Sequence, residues 1–412
     1  MTGEFFDPPS HHGSSSRRSR GIVLAIVLVL IFVLVVAVTA FQRRAIIDTS
    51  IASNRLRMAE ADALARGGLR IAAAMVYVIH LKEVADSAAE TSGNPLANAS
   101  DDALGTAKSA DGVVFPPDLL WSRLGDHELQ LGNGRSLRVS IEDEGARLNL
   151  NALVPALAGV VDESPGTGSA IDSTHSTSTQ TTSSDSRDAE DYLKSVLEYI
   201  IEGIDDGSPT TQYDPRAIAR NLIDYMDADS DAIGGRDENS YYRAQDPPYS
   251  ARNGPFLSVD EIGLVEGVDA PLLDAMRKYV TVHPIGSVQG INLNRAEPWV
   301  LSIVYSGTSG DRELIKEQTV RDIWALRDQS KLLCDELRAD LVRCVLPADI
   351  GNGELAEGSI YPETTLPAEV SVFRVVAEAT VDNLTRRIEA IYDTRSLSGP
   401  QLLSWRRLRG PD

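Results

Sequence analysis

The chain has 412 residues, 42% of them hydrophobic, and its 39 Lys and Arg stand against 60 Asp and Glu, a formal net charge of −21. This apolar content is enough for a buried core and excludes a chain that is disordered throughout. The acidic balance argues against nucleic acid as a partner and makes divalent cations the more natural small ligands. Two cysteines exclude a disulfide-stapled scaffold and Cys-rich zinc sites.

A long apolar run follows a polar, arginine-containing leader at residues 1–21. Over residues 22–40 the only polar side chain is that of Thr39. At a rise of about 1.5 Å per residue, this run nearly crosses a hydrocarbon core of about 30 Å, so a transmembrane helix is predicted at 22–41. A cleaved secretory signal is the alternative, but the run is longer than a usual signal core, and Phe-Gln-Arg-Arg at 41–44 replaces a small-residue cleavage site.

The helical pattern continues beyond the apolar run, because no proline occurs from Gly21 to Asn94. Spacings of three and four place apolar or small residues on one stripe, which predicts a single helix of about 60 residues, half in lipid and half in water. A membrane anchor followed by a separate core helix is the alternative. The stripe consists of Ile47, Ile51, Met58, Ala61, Ala65, Leu69, Ala72, Val76 and Ile79.

Two strands and a Ser/Thr-rich tract come next. A Gly-Asn-Gly turn signal at 132–134 separates strands predicted at Glu128–Leu131 and Ser136–Ile141. Ser164–Ser186 contains 14 Ser or Thr in 23 residues, with Ile171 as its one large apolar residue. The tract is therefore predicted to be a disordered loop, with O-glycosylation as the alternative.

A helical block and a β-hairpin follow. Asn-Leu-Asn occurs twice, at 149–151 and 292–294, and an Asn of each copy is interpreted as a helix cap, Asn294 in the second. Runs of β-branched residues on either side of Asp382-Asn383 predict the hairpin. The predicted helices are Ala189–Ile204, Arg216–Met226, Ser258–Val265, Asp311–Arg327 and Lys331–Cys344, and the hairpin strands are Val370–Thr380 and Thr385–Thr394.

This order of elements predicts one α+β domain interrupted by a large inserted all-α domain. The predicted boundaries are 1–21 for the leader, 22–41 for the transmembrane helix, 42–150 for the long helix and first strands, 151–365 for the inserted domain with its disordered tract at 164–186, 366–396 for the hairpin that completes the sheet, and 397–412 for a tail.

An acidic loop offers a candidate metal site. Asp227, Asp229 and Asp231 alternate, and Glu238 follows eleven residues after the first of them. Oxygen ligands at positions 1, 3, 5 and 12 are what a calcium loop requires. However, Ala232 replaces the glycine at position 6, and no exit helix is indicated. A solvated acidic loop and a carboxylate acid/base pair are the alternatives.

Few residues of the chain suggest enzyme chemistry. Of six histidines only His127 and His283 lie in segments of globular composition, and neither has a Ser or Cys nearby in a nucleophile setting. The sequence has no H-E-x-x-H motif and no phosphate-binding loop. We therefore predict that the protein is not an enzyme, although two-carboxylate chemistry stays open.

Arg20-Gly21 directly before the apolar helix resembles the class III signal of type IV pilin-like proteins. In such proteins prepilin peptidase cuts after the glycine, so Gly21 and Ile22 would flank the processing site. Position five of the mature chain would be Ile26, where most pilins carry a glutamate that pairs with the N-terminal amine of a neighbouring subunit. A subunit without this glutamate fits a filament end better than a repeated middle.

Four segments in register resemble one pilin-like family, type II secretion system protein K, a minor pseudopilin. Its D-E-x-G-K-I-N-L-N-A segment is similar to residues 143–152, and its I-N-V-N-T-A segment is similar to residues 291–296. The long leader, Ile22 and the Ser/Thr tract depart from the family. The other similar residues are Arg20-Gly21, Tyr225-Met226-Asp227-Ala228-Asp229, Gly235, Tyr241-Tyr242, Pro247-Pro248-Tyr249 and Asn253-Gly254-Pro255-Phe256-Leu257-Ser258.

The resemblance implies a pilin-like helix-plus-antiparallel-sheet domain with a helical insertion and no catalytic role. It implies one inner-membrane span, a cytoplasmic N-terminus and a periplasmic C-terminal domain. Such a protein caps the pseudopilus tip with minor pseudopilins I and J and supports export of folded proteins through the outer membrane. The family also binds calcium in its inserted domain, which points to Asp227, Asp229, Asp231 and Glu238. A membrane-tethered periplasmic enzyme or calcium-dependent binding module is the alternative.

The two cysteines, Cys334 and Cys344, would lie in the periplasm, where disulfides are permitted. On one unbroken helix, residues ten apart are separated by about 15 Å, whereas bonded cysteines have Cα atoms within about 7 Å. The helix predicted over Lys331–Cys344 therefore excludes the bond unless it breaks near Ala339-Asp340.

Overall fold

The computed structural model describes residues 16–92, 128–154, 183–204, 213–228, 233, 235–336, 343–356, 358–368, 370–396 and 398–408. The helices are α1 (Ser16–Ser92), α2 (Ser183–Glu202), α3 (Pro215–Met226), α4 (Asn239–Tyr242), α5 (Ala270–Met276), α6 (Pro298–Leu301) and α7 (Glu317–Asp328). The strands are β1 (Glu128–Gly132), β2 (Arg135–Asp143), β3 (Leu148–Asn149), β4 (Val280–Thr281), β5 (Tyr305–Thr308), β6 (Asp311–Leu314), β7 (Leu332–Leu333), β8 (Cys344–Val345), β9 (Ile360–Tyr361), β10 (Val372–Val381), β11 (Leu384–Asp393) and β12 (Gln401–Leu408).

Helix α1 is 77 residues long, which confirms the predicted long N-terminal helix. Within the described residues it alone is long and apolar enough to cross a membrane, judged by length and composition, and its side chains from Val23 to Ser50 are exposed. The helix continues without a break through Gly67-Gly68. Its second part buries five residues of the predicted stripe, each at most 6% exposed: Ala61, Ala65, Leu69, Ala72 and Val76. Three earlier members of the stripe, Ile47, Ile51 and Met58, are 40% exposed or more.

A five-stranded antiparallel sheet with the order β1-β2-β10-β11-β12 packs one face against α1. The predicted hairpin is confirmed, since β10 and β11 pair continuously from Val372 opposite Asp393 to Val381 opposite Leu384. Asp382 takes up the turn with φ +54°, a conformation that Asp tolerates better than most residues. Alternate side chains of β10 face α1 and form the core of this part of the protein.

The prediction of a tail at 397–412 is wrong, because Gln401–Leu408 form β12, which pairs with β11. Charged side chains hold this strand in place: Arg407 pairs with Asp62 of α1 at 2.9 Å, and Arg406 pairs with Glu389 of β11 at 2.7 Å. β12 lacks the β-branched residues that mark the hairpin. No local pattern therefore indicates it.

The sheet is interrupted between Asp143 and Val372, and residues 144–371, here called the inserted region, fold between these two points. Residues 23–81, 128–143 and 372–408 are called the pilin-like region. The prediction that the insertion is all-α is wrong, because β3 to β9 form three small sheets within it. Two are parallel pairs, β3–β4 and β7–β8, and the third has the order β6-β5-β9.

The helix predicted from Asp311 begins only at Glu317, because the preceding residues form the hairpin strand β6. Gly310, with φ +84°, makes the turn between β5 and β6. Asp188 of α2 holds this turn, since its carboxylate accepts hydrogen bonds from the Ser309 hydroxyl at 2.7 Å and the Gly310 N–H at 3.0 Å. A contact across more than 100 residues thus overrides the local helical pattern.

The helix predicted over Lys331–Cys344 is also wrong. Leu332 pairs with Cys344 in the parallel strands β7 and β8, and residues 337–342 lie outside the described ones. Cys334 and Cys344 are joined by a disulfide, with Cα atoms 5.5 Å apart. The predicted helix excluded this bond unless it broke near Ala339-Asp340. The strands β7 and β8 replace the helix and bring the two cysteines together.

The Ser/Thr tract predicted at 164–186 lies outside the described residues up to position 182. Its last four residues, Ser183–Ser186, belong to α2, so the prediction of a loop is wrong there. Ser and Asp are favourable in the first turn of a helix, which explains why the helix begins before the apolar stripe does.

The net charge of the chain lies entirely in the inserted region. Residues 144–371 contain 18 Lys and Arg against 39 Asp and Glu, a formal charge of −21, which leaves the remainder of the chain formally neutral. Net charge of this size favours solubility and repels other acidic surfaces.

Candidate functional site

The predicted processing site, Gly21 and Ile22, lies within α1, which begins at Ser16. Ile26, at position five of the expected mature chain, has a side chain that is 55% exposed. No carboxylate stands at this position to meet an N-terminal amine. Cleavage after Gly21 stays a prediction.

The acidic loop connects α3 to α4. Asp227 ends α3, with its backbone N–H donating to the carbonyl of Ile223 at 2.9 Å, and Glu238 directly precedes α4 and is 4% exposed. Asp229 and Asp231 lie outside the described residues. Among the residues that are described, no group of three His, Cys, Asp or Glu side chains is placed to hold a metal ion.

Asp224, which is outside the predicted ligand set, organises the end of this loop. Its side chain is 4% exposed, and its two carboxylate oxygens accept hydrogen bonds from the Ile233 N–H at 3.0 and 3.1 Å. At Ile233 the loop is therefore held against α3. The sequence shows that Asp224 lies three residues before Asp227, but it does not show the hydrogen bond between Asp224 and Ile233.

The arginines at the loop bind other acids on its outer side. Arg236 forms an ion pair with Glu266 at 2.6 Å, and this hydrogen-bonded contact raises the pKa of Arg236. Arg243 pairs with Asp237 at 2.9 Å. Because these ion pairs are exposed, they contribute little to the free energy of unfolding, and their main effect is to position the residues that they join.

An aromatic cluster anchors both ends of the loop. Tyr225 stacks on Phe256 with ring centroids 5.3 Å apart and meets Tyr242 edge-on at 5.7 Å. Tyr242 in turn contacts Tyr241 at 5.3 Å and Tyr249 at 5.4 Å. Burial raises the pKa of Tyr225 to about 12. These rings precede and follow the acidic residues, so the chain is held by aromatic contacts on both sides of the loop.

A buried ion network joins the inserted region to the sheet. Glu144 is fully buried, and it accepts hydrogen bonds from Arg374 Nε at 2.9 Å and from the Thr281 hydroxyl at 2.7 Å. Arg374 also pairs with Glu389 at 3.1 Å. Burial alone would raise the pKa of Glu144, but Arg374 and Arg147 outweigh it and lower this pKa to about 2. Sequence reasoning treated Glu144 only as part of a motif.

His283 lies beside this network and is 2% exposed. Its Nδ1 atom is buried and has no hydrogen-bond partner among the described residues. Burial lowers the pKa of His283, although the charges of Glu144 and Asp393 act in the opposite direction. The ring is therefore neutral in the folded protein near neutral pH.

The two Asn-Leu-Asn segments share one local structure. In each, the first Asn side chain accepts a hydrogen bond from the N–H of the second, at 3.1 Å in the Asn149 copy. The second Asn pairs with both main-chain groups of a distant residue: Asn151 with Phe256 at 2.8 and 3.0 Å, and Asn294 with Leu333 at 2.8 Å for both bonds. Asn149 does cap a 3-10 turn, but the prediction of Asn294 as a helix cap is wrong.

Residues 146–285 match the family model of type II secretion system protein K. This third of the chain is therefore similar to type II secretion system protein K. The match contains the acidic loop, the aromatic cluster and the first Asn-Leu-Asn segment, which carried the resemblance.

A similar chain occurs in the crystal structure of the GspK-GspI-GspJ complex from the type 2 secretion system of enterotoxigenic Escherichia coli. The two chains are 16% identical, and the match covers 69% of this chain and 83% of that chain with a TM-score of 0.38. No curated protein matches the sequence.

Proposed function

We propose that the protein is a minor pseudopilin at the tip of the type II secretion pseudopilus. The observation that carries this proposal is the protein K match over residues 146–285. The second line of support is the arrangement around that match: a long apolar helix in front of a sheet whose strands are interrupted by the matched region. This arrangement is what the family resemblance implied for the complete chain.

The proposed partners are minor pseudopilins I and J, together with prepilin peptidase for processing. GspI and GspJ are the chains that accompany GspK in the crystallised complex. Ile26 supports a terminal place in the filament, because a subunit without a carboxylate at position five does not pair with the N-terminal amine of a subunit ahead of it.

The proposed location is the inner membrane, with one span, a cytoplasmic N-terminus and a periplasmic remainder. The exposed apolar first part of α1 supports the span, since such a surface is stable in lipid and unfavourable in water. The disulfide between Cys334 and Cys344 supports the periplasm, because disulfides persist in that compartment.

The function test uses the full-length chain, produced with prepilin peptidase and with subunits I and J. We expect shortening by 21 residues and recovery of one stable complex from detergent. A Gly21→Leu variant is the control, because blocked cleavage should leave the precursor and prevent filament assembly. Cleavage after Ala40, or a processed chain that binds neither subunit, would count against the proposal.

Calcium is the proposed cofactor, with Asp227, Asp229, Asp231 and Glu238 as ligands. The carboxylate oxygens of these residues suit this hard cation, and the burial of Glu238 supports a site at this loop. Burying a carboxylate costs free energy that donors or a cation must offset. Calcium bound here would hold the loop between its aromatic anchors.

The calcium test compares thermal unfolding with calcium and with chelator. A ligand that binds only the folded state stabilises it by about 2.7 kcal/mol at a hundred times its dissociation constant. We expect Glu238→Gln to abolish this gain and Asp246→Asn, an exposed neighbour, to keep it. An unfolding temperature that calcium does not move would refute the site. Calcium-dependent stability without binding to I or J would instead favour the binding-module alternative.

A further inference from the structure

The C-terminal edge of the sheet is open along β12. Among the described strands, β12 pairs with β11 on one side and with no strand on the other. Such an edge presents a row of main-chain N–H and C=O groups, which proteins usually protect with charges, proline or a covering element. The first part of β12, Gln401–Trp405, contains no charged residue and no proline.

This unprotected part of the strand also exposes large apolar side chains. Leu402 is 52% exposed, Leu403 is 37% exposed and Trp405 is 50% exposed. Arg66 and Arg407 lie over the Trp405 ring, 5.6 and 5.7 Å from its centroid, so the ring is oriented although half of it is exposed. An oriented, exposed tryptophan is typical of the residues that dominate protein interfaces.

A small cleft, open to solvent, runs between β12 and the inserted region. Its buried floor contains Arg374 and Glu389 of the ion network, together with His283. The Nδ1 atom of His283 is buried and has no hydrogen-bond partner among the described residues. The walls are formed by Ser404 and Arg406 of β12 and by Ser258, Asp260 and Arg277 of the inserted region.

We propose that β12 binds an extended segment of a neighbouring pseudopilus subunit, which adds a strand to the sheet and directs a hydrogen-bonding side chain into the cleft towards His283. The open main-chain groups require an extended segment, because a helix offers no unpaired main-chain groups along its side. The exposed leucines and Trp405 require apolar residues on that segment. Arg66, Arg406 and Arg407 near this edge pair with only two carboxylates, those of Asp62 and Glu389, and the surplus positive charge disfavours a segment rich in Lys or Arg.

The proposal rests on the function proposed above only for the identity of the neighbour. It goes beyond that function because it assigns the contact to one strand. An added strand would lie about 4.8 Å from β12, so side chains at 402 and 403 would touch it directly.

Site-specific photocrosslinking tests this contact in the full-length chain, produced with subunits I and J. A benzophenone amino acid replaces Leu402, Leu403 or, as the control, Trp299 of α6, which is 46% exposed in the inserted region. We expect crosslinks to the same neighbouring subunit from positions 402 and 403 and no crosslink to it from position 299.

Affinity provides the second readout. We expect Trp405→Ala to weaken the purified complex at least tenfold and Trp299→Ala, which removes a similarly exposed ring, to change it less than twofold. Thermal unfolding of each variant shows whether the fold is kept. Leu403→Lys, which adds a charge to the edge, should weaken the complex as Trp405→Ala does. This second variant provides the test if loss of the Trp405 ring disturbs the sheet.

The outcomes separate this proposal from the proposed function. An intact complex without crosslinks from 402 and 403 overturns the β12 contact and leaves the function standing. Crosslinks to a second copy of the chain or to a secreted protein overturn the proposed neighbour. Failure of the wild-type chain to bind I or J, with positions 402 and 403 unlabelled, overturns both.

Discussion

The hydrophobic cores of the pilin-like region and the inserted region differ in amino-acid composition. The pilin-like core is narrow and rich in alanine, with Ala65 and Ala72 of α1 facing Ala377, Ala379 and Ala390 of the sheet. The inserted core is filled with tyrosine, leucine and isoleucine and is tied by long-range amide contacts. Small residues allow a helix to approach a sheet closely, whereas large ones allow an irregular fold to close. The pilin-like region is therefore a regular helix-on-sheet structure, whereas the irregular fold of the inserted region depends on individual side-chain contacts.

Charge separates the two regions in the same way. The inserted region carries the whole −21, and the rest of the chain is formally neutral. A neutral region packs against neighbours without long-range repulsion, whereas a strongly acidic region stays hydrated and repels other acidic surfaces. The ion network of Glu144, Arg374 and Glu389 connects them, and it is the first place to test the comparison.

Removing Arg374 should have the largest effect. Arg374→Met would leave Glu144 and Glu389 buried without their shared cation, which costs about 3–5 kcal/mol for broken buried pairs. Urea unfolding of the detergent-solubilised chain measures this loss. Arg138→Met, an exposed change on the same sheet, should cost less than about 0.5 kcal/mol. Equal stability of the two variants would show that the network does not join the regions energetically.

Reducing the disulfide should destabilise the inserted region and leave the sheet intact. The bond between Cys334 and Cys344 closes a loop with a sequence separation of 10, for which chain entropy predicts roughly 2–3 kcal/mol. Hydrogen exchange with and without reductant locates the effect. In a Cys334→Ser, Cys344→Ser double variant reductant should change nothing further. Faster exchange in β10 and β11 after reduction would contradict the separation of the regions.

Mild acid should lower the stability of the protein through protonation of His283, which lies beside the buried ion network. Because burial lowers its folded-state pKa below the ordinary 6.5, the unfolded chain takes up the proton more readily, and stability falls as the pH drops below about 6.5. Glu144, Asp393, Arg374 and Arg395 are the charged groups that act on the ring. Unfolding free energies at pH 7.5 and 5.5 measure the slope, and His283→Gln should flatten it.

Further acidification should remove the contribution of Glu144. With a folded-state pKa of about 2 against an ordinary 4.5, this carboxylate stabilises the protein above pH 4.5 and loses that effect as the pH falls towards 2. Burial raises the pKa of Asp143, which acts in the opposite sense. The comparison of pH 7.5 with 5.5 lies above the titration of Glu144, so a slope that survives in His283→Gln would point to Asp143, to another carboxylate or to another histidine.

The smallest effect should come from the paired glycines of α1. No atom lies within 4 Å of a Cβ placed on Gly67, so Gly67→Ala should stabilise the helix by up to about 1 kcal/mol. A Cβ on Gly68 would lie 3.0 Å from Leu137 and 3.1 Å from Val139, so Gly68→Ala should gain less or lose stability. Thermal unfolding of both variants gives the comparison. An equal gain would mean that α1 packs less closely on β2.

Regular elements were predictable where local pattern and tertiary structure agree. The stripe of α1 and the hairpin of β10 and β11 follow from spacing and β-branched residues alone. The inserted region was predictable mainly at α2 and α3, whose amphipathic patterns are strong. The strand β7 was not, because Asn294, 39 residues away, fixes its main chain.

The candidate site was predictable in composition and not in arrangement. The sequence shows the carboxylates of the acidic loop, but the folding of the loop onto α3 depends on the bond from Ile233 to Asp224. The ion network was missed because Glu144 and Arg374 are 230 positions apart in the sequence. His283 was noticed only as a histidine in a globular segment, since burial cannot be read from its neighbours.

The point at which the chain leaves the sheet has a mechanical consequence. Asp143 and Phe373 lie opposite each other on the adjacent strands β2 and β10, so the inserted region is attached at two neighbouring positions. A pull along α1 passes into the sheet through their shared core and is resisted there as shear between the helix and the strands. The inserted region does not lie between α1 and the sheet, so such a load would carry it along without stretching it.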